Sequence, residues 1–189
     1  ERSKFTRSLT IASGDDHALA DKLGFSSVAS ADDADLIIIS GSETERIPLE
    51  AYRRLLHPAA KRGVPCICTN PDIHKLVGET LLPAAGAIAA LYEQMGGAVT
   101  RIGKPHLDIY RHAHAICSYP TRARIVSIGD SLDHDILGAA TFGIDGVLAR
   151  TGVQAHVSEA ALLAQMQEAQ LAPRYLLQSF VWDDAHADE

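Results

Sequence analysis

The fold prediction for this chain depends on the stretch Gly129-Asp130-Ser131-Leu132-Asp133-His134-Asp135-Ile136. The residues before it, 124–128, are mostly β-branched and apolar and predict a buried strand. The residues after it, 137–143, are small and apolar at helical spacing and predict a helix. Three carboxylates therefore lie where a strand ends and a helix begins. In open α/β sheets, that edge is where ligands bind.

Two interpretations of this acidic turn are open. Neighbouring carboxylates repel one another unless a cation holds them, and acidic oxygen ligands suit a hard ion such as Mg²⁺. Alternatively, Asp133 is an ordinary start of a helix, because acidic residues favour the first helical turn. Motifs elsewhere in the chain have to decide between a metal site and a helix cap.

Length and charge limit the class of protein. The chain has 189 residues, 47% of them hydrophobic, which suits one domain or a domain with a smaller lobe. The net charge of −7 argues against nucleic acid or an anionic membrane as the main partner, because such partners require a basic face. No apolar run reaches the roughly 18 residues of a membrane span. Cys66, Cys68 and Cys117 lack metal-site spacing and predict free thiols in a reducing compartment, so we expect the cytoplasm.

Apolar strands and amphipathic helices alternate along the sequence, which predicts parallel sheets with helical crossovers. The clearest strand is 35–40, because a continuous β-branched run is typical of a strand buried on both faces. No regular element is predicted for 73–83. A helix is predicted from residue 17, and a disordered acidic tail from residue 183.

The segment Gly103-Lys104-Pro105-His106 follows a strand predicted at 98–102. Gly103 permits a sharp turn and Pro105 prevents an early helical hydrogen bond, so Lys104 leaves the carboxyl edge of its strand. We expect Lys104 and Asp130 to share one edge of one sheet. A lysine there offsets carboxylate repulsion and can hold a phosphoryl oxygen. The alternative is a solvated surface lysine.

Asn70 and Asp72 form a second group of candidates, after a strand predicted at 64–69. They can contact a polar ligand, and a glycine before the next helix, Gly86, leaves helix amides open to an anion. Turn chemistry uses the same residue types, and taken alone these residues favour it.

Taken in order, Gly103-Lys104-Pro105, the turn from Gly129 to Ile136 and Thr151-Gly152-Val153 resemble motifs of the haloacid-dehalogenase-like superfamily. Thr69-Asn70-Pro71-Asp72 and Gly86-Ala87 resemble its NagD-type phosphatase branch. The resemblance implies a Rossmann-like parallel-sheet core, of which this chain holds the C-terminal half, plus an α/β cap domain. The implied parts are a cap at 1–97, the half-core at 98–182 and the acidic tail at 183–189.

The resemblance also implies function. It implies magnesium-dependent hydrolysis of a small phosphorylated metabolite, with Lys104 as a catalytic residue that neutralises phosphoryl charge. Asp130 matches the magnesium ligand and Asp135 its supporting carboxylate. The resemblance implies substrate contacts from Asn70, Asp72 and Ser131. It also implies a homodimer that forms through the cap.

The family's first motif, a D-x-D nucleophile pair after a strand, has no match in this sequence. Asp33-Ala34-Asp35 has the spacing but precedes its strand. Since the sequence starts at Glu1, we expect a partial chain without its own nucleophile, inactive as a phosphatase by itself. One alternative is a noncatalytic α/β module that binds magnesium or a phosphorylated ligand. Another is a split enzyme completed by a different chain.

Overall fold

The computed structural model describes residues 5–14 and 18–181, and its contacts divide the chain into two units between Ile109 and Tyr110. Both units combine helices with parallel sheets, which confirms the predicted α/β class. The predicted domain boundary lies earlier, after residue 97, and the assignment of the parts to cap and core stays a prediction. The predicted helix start at residue 17 and the acidic tail at 183–189 lie outside the described residues.

The first unit contains a parallel sheet and a separate hairpin. In chain order its elements are β1 (Arg7–Ile11), α1 (Leu19–Lys22), β2 (Ser26–Ser27), β3 (Leu36–Ile39), α2 (Leu49–Lys61), β4 (Cys66–Cys68), β5 (His74–Val77), β6 (Thr80–Pro83), α3 (Ala85–Gln94), β7 (Val99–Arg101) and α4 (Leu107–Ile116), which contains the division between units. The five-stranded sheet has the order β2-β1-β3-β4-β7, and all its pairs are parallel.

Strand β3 is buried on both faces, as its β-branched run predicts. Leu36 and Ile38 pack with Ala20 of α1 on one face. Ile37 and Ile39 belong to the larger core on the other face, which α2 and α3 cover. Burial of each of these side chains contributes about 1.5–3 kcal/mol to folding, so β3 anchors the unit.

The segment 73–83 forms a hairpin, although no regular element is predicted there. Strands β5 and β6 pair antiparallel, with Val77 opposite Thr80. Gly78, at φ +60°, begins the two-residue turn between them, a position that favours glycine. The hairpin is short and half-exposed, which explains why its hydrophobic pattern is weak in the sequence.

The base of the hairpin is tied to the loop after β3. The Lys75 ammonium donates to the Ser42 carbonyl and lies 2.6 Å from the Glu45 carboxylate. On the other strand, the hydroxyls of Ser42 and Thr44 donate to the Pro83 carbonyl. Both strands of the hairpin are therefore anchored at the carboxyl edge of the sheet.

The second unit contains a three-stranded parallel sheet with the order β10-β9-β8. Its elements after α4 are a 3-10 turn (Arg122–Arg124), β8 (Val126–Gly129), a π-helical turn (Leu132–Ile136), α5 (Leu137–Phe142), β9 (Asp145–Ala149), a 3-10 turn (Gly152–Gln154), α6 (Glu159–Ala169) and β10 (Tyr175–Leu177). Its core joins the π-helical turn to the sheet and α6 through Leu132, Ile136, Leu148 and Leu162.

The prediction that Lys104 and Asp130 leave one sheet is wrong. Strand β7, which leads to Lys104, pairs with β4 in the five-stranded sheet. Strand β8, which leads to Asp130, pairs with β9 in the three-stranded sheet. Alternating strands and helices predict parallel pairing but do not specify which strands become neighbours, because that choice depends on contacts distant in sequence.

Among the helices within residues 5–14 and 18–181, none combines the length and the apolar character that crossing a bilayer requires.

Candidate active site

Asp130 lies directly after β8, at the carboxyl end of the three-stranded sheet. Its Oδ2 accepts a hydrogen bond of 2.8 Å from the backbone amide of Val153. Val153 lies in the 3-10 turn that follows β9, the strand next to β8. A Cβ at Gly152 would lie 1.8 Å from the same carboxylate oxygen, so the approach requires glycine. Loops from two adjacent strands therefore fix the Asp130 carboxylate.

Asp135 has a different environment, because it is only 3% exposed. Its Oδ2 accepts a hydrogen bond of 3.1 Å from the Ser131 amide, which closes the acidic turn. A Cβ at Gly129 would lie 2.0 Å from the Asp135 carboxyl carbon. The Asp135 carboxyl group therefore packs directly against the Gly129 backbone. Asp135 thereby supports the backbone on both sides of Asp130.

Ser131, and not Asp133, caps the π-helical turn. The Ser131 hydroxyl oxygen accepts the His134 amide at 3.3 Å. The backbone carbonyl of Ser131 accepts hydrogen bonds from the amides of Asp135 and Ile136. Asp133 is exposed on the first turn. The acidic stretch is thus both a helix start and a carboxylate cluster, and the two interpretations of the sequence are not exclusive.

The loop after β9 contributes to this site: Thr151-Gly152-Val153 is part of the family resemblance in the sequence, but its contact with Asp130 is not predicted there. Gly152 and Val153 follow a strand of the same sheet, and strand ends of one parallel sheet meet at one edge. That adjacency, together with a glycine three residues after the end of the buried strand β9, is the signal that predicts their contact with Asp130. Tyr110 of α4 also contacts the turn, because its hydroxyl lies 3.5 Å from the His134 carbonyl.

The acidic turn offers one fixed carboxylate to a cation. Within the described residues, no three His, Cys, Asp or Glu side chains form a group that could hold a metal ion. Mg²⁺ in proteins is often held by one or two carboxylates, while water and substrate phosphate complete its octahedron. The donor set here fits that mode, with Asp130 as the carboxylate that a neighbouring loop orients.

Lys104 lies in the first unit, on the loop that follows β7. The loop begins with Ile102, whose amide donates to the Cys68 carbonyl at 2.8 Å. Before it, Arg101 forms two hydrogen bonds with Glu93, of 2.6 and 2.8 Å, which lower the pKa of that carboxyl. The Lys104 side chain is exposed, as a residue that meets a ligand must be.

Asn70 and Asp72 follow β4, the strand next to β7, so their loop is adjacent to the lysine loop. The Asn70 side-chain oxygen accepts the Asp72 amide at 3.3 Å, which is the turn chemistry that the sequence leaves open. The Asp72 carbonyl accepts the Gly86 amide at 2.8 Å. That amide is therefore engaged within the protein and is not an open anion site.

The predicted site residues fall into two groups. Lys104, Asn70 and Asp72 lie at one sheet edge in the first unit. Asp130, Ser131 and Asp135 lie in the acidic turn of the second unit. Each group is internally close, and their combination into one catalytic centre stays a prediction.

The chain is similar to known hydrolases. A family model described as HAD-hydrolase-like matches residues 101–182. A dihydroxyacetone phosphatase of Corynebacterium glutamicum is 31% identical over 133 residues, which cover 67% of this chain and 45% of that protein. The chain thus spans about half the length of this curated relative.

Two solved structures have the same fold over almost the whole chain. A haloacid-dehalogenase-like hydrolase from Brucella suis superposes with a TM-score of 0.74 and 31% identity. The superposition covers 93% of this chain and 66% of the Brucella chain. NagD from E. coli K-12 superposes with a TM-score of 0.64 and 26% identity, with coverages of 94% and 65%.

The fold, the acidic turn and these similarities together define the class: the chain belongs to the haloacid-dehalogenase-like hydrolases. Within that class, the chain is similar to the dihydroxyacetone phosphatase and to NagD.

Proposed function

We propose that the protein is a magnesium-dependent phosphatase that acts on a small phosphorylated metabolite. The observation that carries this proposal is the Asp130 carboxylate, which the Val153 amide holds at 2.8 Å beside the end of β8. A carboxylate held by its own protein can keep a hard cation in one position. The name of the dihydroxyacetone phosphatase favours a small phosphorylated sugar as substrate.

Each candidate residue has a role that its surroundings suit. Asp130 is the proposed magnesium ligand. Asp135 is a proposed positioning residue, because its carboxylate accepts the Ser131 amide and so holds the turn. The Ser131 hydroxyl accepts the His134 amide and can still donate its own hydrogen to a phosphate oxygen. Lys104 is the proposed neutraliser of phosphoryl charge, and Asn70 and Asp72 are proposed substrate contacts. Mg²⁺, when bound, would neutralise charge on the phosphoryl oxygens.

The role of Lys104 can be tested in the natural protein. Lys104→Met is expected to lower kcat/KM for a sugar phosphate by at least ~100-fold, because a fixed cation at a transferring phosphoryl group stabilises the transition state. Lys61→Met is a suitable control, because Lys61 is also exposed but ends α2. Equal activity of Lys104→Met and wild type would contradict the proposed catalytic role of Lys104.

The alternative is a noncatalytic module that binds magnesium or a phosphorylated ligand. The sequence favours it by having no D-x-D pair after a strand, because a carboxylate site can bind an ion without a nucleophile to support turnover. Calorimetric binding of Mg²⁺ and a sugar phosphate to the natural protein, with no release of phosphate, would support the module. Phosphate release that depends on Mg²⁺ would exclude it.

For partners and location, we propose a homodimer through the first unit and residence in the cytoplasm. All three cysteines are free, which a reducing compartment favours. The net charge of −7 favours a small ligand over nucleic acid. Light scattering of the purified protein and fractionation of the source cells test these two proposals separately.

A further inference from the structure

Gln154 is the last residue of the 3-10 turn that holds Asp130, and it is only 6% exposed. Its side-chain oxygen Oε1 is buried and has no hydrogen-bond partner within the part of the chain that the structure describes. A buried amide oxygen in this state is unusual, because leaving water costs free energy unless another donor replaces the lost hydrogen bonds. We therefore expect Oε1 to accept a hydrogen bond from a group that is not part of the chain.

The backbone of the same turn is satisfied, which makes the Gln154 side chain the exception. Three consecutive backbone amides already donate hydrogen bonds within the protein: those of Val153, Gln154 and Ala155. The first of them donates to Asp130 Oδ2 at 2.8 Å. The Gln154 carbonyl accepts the Val157 amide at 3.2 Å. The turn therefore offers an unused acceptor next to Asp130 and no unused amide at residues 153–155.

This combination suits a ligand that is rich in donors. The Asp130 carboxylate and Gln154 Oε1 are both acceptors, and Val153, which contacts Asp130, directly precedes Gln154. A phosphate or another anion requires donors, and the amides of this turn are engaged. Hydrated Mg²⁺ has the opposite requirement, because the ion usually keeps several of its waters, and each of them donates its hydrogens to acceptors.

We propose that Gln154 Oε1 accepts a hydrogen bond from a water molecule bound to Mg²⁺ at Asp130. Gln154 is then a positioning residue of the metal site, because it orients the hydration shell of the ion without touching the ion. Groups that orient the ligands of a metal in this way commonly change its affinity by about 10–100-fold. This inference rests on the proposed function, since it requires the ion that Asp130 is proposed to hold.

Calorimetric titration of the natural protein with Mg²⁺ tests the role of Gln154. Gln154→Leu removes the acceptor at similar side-chain volume and is expected to raise the Mg²⁺ dissociation constant at least ~10-fold. Gln154→Glu keeps an acceptor oxygen and is expected to bind Mg²⁺ at least as tightly as wild type. Gln167→Leu is the matched control, because Gln167 is exposed on α6 and is expected to leave the constant within about twofold. Wild-type affinity in Gln154→Leu overturns the proposal.

Urea unfolding distinguishes this role from a purely structural one. Without Mg²⁺, Gln154→Leu is expected to unfold at the same urea concentration as wild type or a higher one, because it loses a buried acceptor that has no partner. At one fixed Mg²⁺ concentration, the midpoint of wild type is expected to rise more than that of Gln154→Leu, because the variant binds the ion more weakly. A Mg²⁺-dependent rise of equal size in both proteins indicates that Gln154 acts in packing alone and overturns the proposal.

Asp130→Asn in the same titration separates this inference from the proposed function. If Asp130→Asn binds Mg²⁺ more weakly while Gln154→Leu binds it as wild type does, the role of Gln154 is wrong and the magnesium site stands. If neither substitution changes the affinity, the magnesium site at Asp130 is itself wrong, and the proposed function fails together with this inference.

Discussion

Asp130 and Asp135 lie close in sequence, yet they have opposite surroundings. Asp135 is buried, and its carboxylate is occupied by the Ser131 amide. Asp130 is half-buried and is held by one amide from a neighbouring loop. A buried carboxylate bonded to its own turn suits a structural role, whereas a carboxylate held at a strand end suits a ligand. The family resemblance implies these two roles, but the residues of the turn alone do not separate them, because the Gly152-Val153 loop that holds Asp130 comes from elsewhere in the chain.

Gly129→Ala tests the packing of Asp135. A Cβ there would meet the Asp135 carboxyl carbon at 2.0 Å, so we expect the free energy of unfolding to fall by about 1–3 kcal/mol. The measurement is urea unfolding of wild type and variant. In an Asp135→Ala background the clash is gone, so the same glycine substitution is expected to cost less. Equal costs in both backgrounds would show that the two groups do not meet.

The cysteines give a prediction from pKa. Burial raises the pKa of the Cys66 thiol to about 12, whereas Cys117 is exposed. At pH 8 we expect an alkylating reagent to modify Cys117 in the native protein and to reach Cys66 and Cys68 only after unfolding. Mass spectrometry of digested samples identifies the modified thiols. Rapid native modification of Cys66 would contradict its position in the sheet.

The same shift fixes the sign of a pH effect. The Cys66 thiol of the unfolded chain ionises near pH 8.5, while the buried thiol stays neutral up to about 12. The Cys66 contribution to stability is therefore complete below about pH 8.5 and is lost progressively as the pH rises toward 12. A midpoint of urea unfolding that rises over this range in wild type relative to Cys66→Ala would oppose this account.

At the scale of elements, long periodic segments were predictable and strand partners were not. Strand β3 and helix α2 follow directly from their residue patterns, because hydrophobic burial imposes those patterns. The hairpin at β5 and β6 depends on a two-residue turn and on Lys75, both weak signals in a sequence. The pairing of β7 with β4 is set by the packed sheet, so local sequence could not place Lys104 in its unit.

Lys75→Met tests what holds the hairpin. Lys75 contributes a hydrogen bond to the Ser42 carbonyl and an ion pair with Glu45, and the variant loses both. We expect hydrogen-exchange protection of the hairpin amides to fall about fivefold, because an exposed ion pair and a single hydrogen bond contribute modestly to stability. Lys61→Met, at the exposed end of α2, is the control and is expected to leave the hairpin unchanged. Unaltered protection in Lys75→Met would mean that Ser42 and Thr44 are sufficient.

At the scale of the whole molecule, the lysine segment and the acidic turn, which resemble motifs of the family, lie in two compact units. The family model and the solved relatives support the hydrolase class, while the chain spans about half the length of its curated relative. The activity, the substrate and the dimer of the whole protein are therefore proposals, and each is argued from residues within one unit.

The isolated 189-residue polypeptide gives the simplest activity prediction. We expect no hydrolysis of p-nitrophenyl phosphate in the presence of Mg²⁺, because the sequence supplies no D-x-D nucleophile after a strand. A colorimetric assay with an active phosphatase as positive control makes the measurement. Robust turnover by the pure polypeptide would require a nucleophile that the motif argument overlooks.

The central claim is that Asp130 holds magnesium, and calorimetric titration tests it most directly. The comparison is between wild type, Asp130→Asn and Asp133→Asn, whose exposed carboxylate lies on the same turn. We predict that wild type and Asp133→Asn bind Mg²⁺ alike and that Asp130→Asn binds at least ~10-fold more weakly, because it loses the charged oxygen ligand. Equal binding by Asp130→Asn and wild type, with loss in Asp133→Asn, would contradict the assignment.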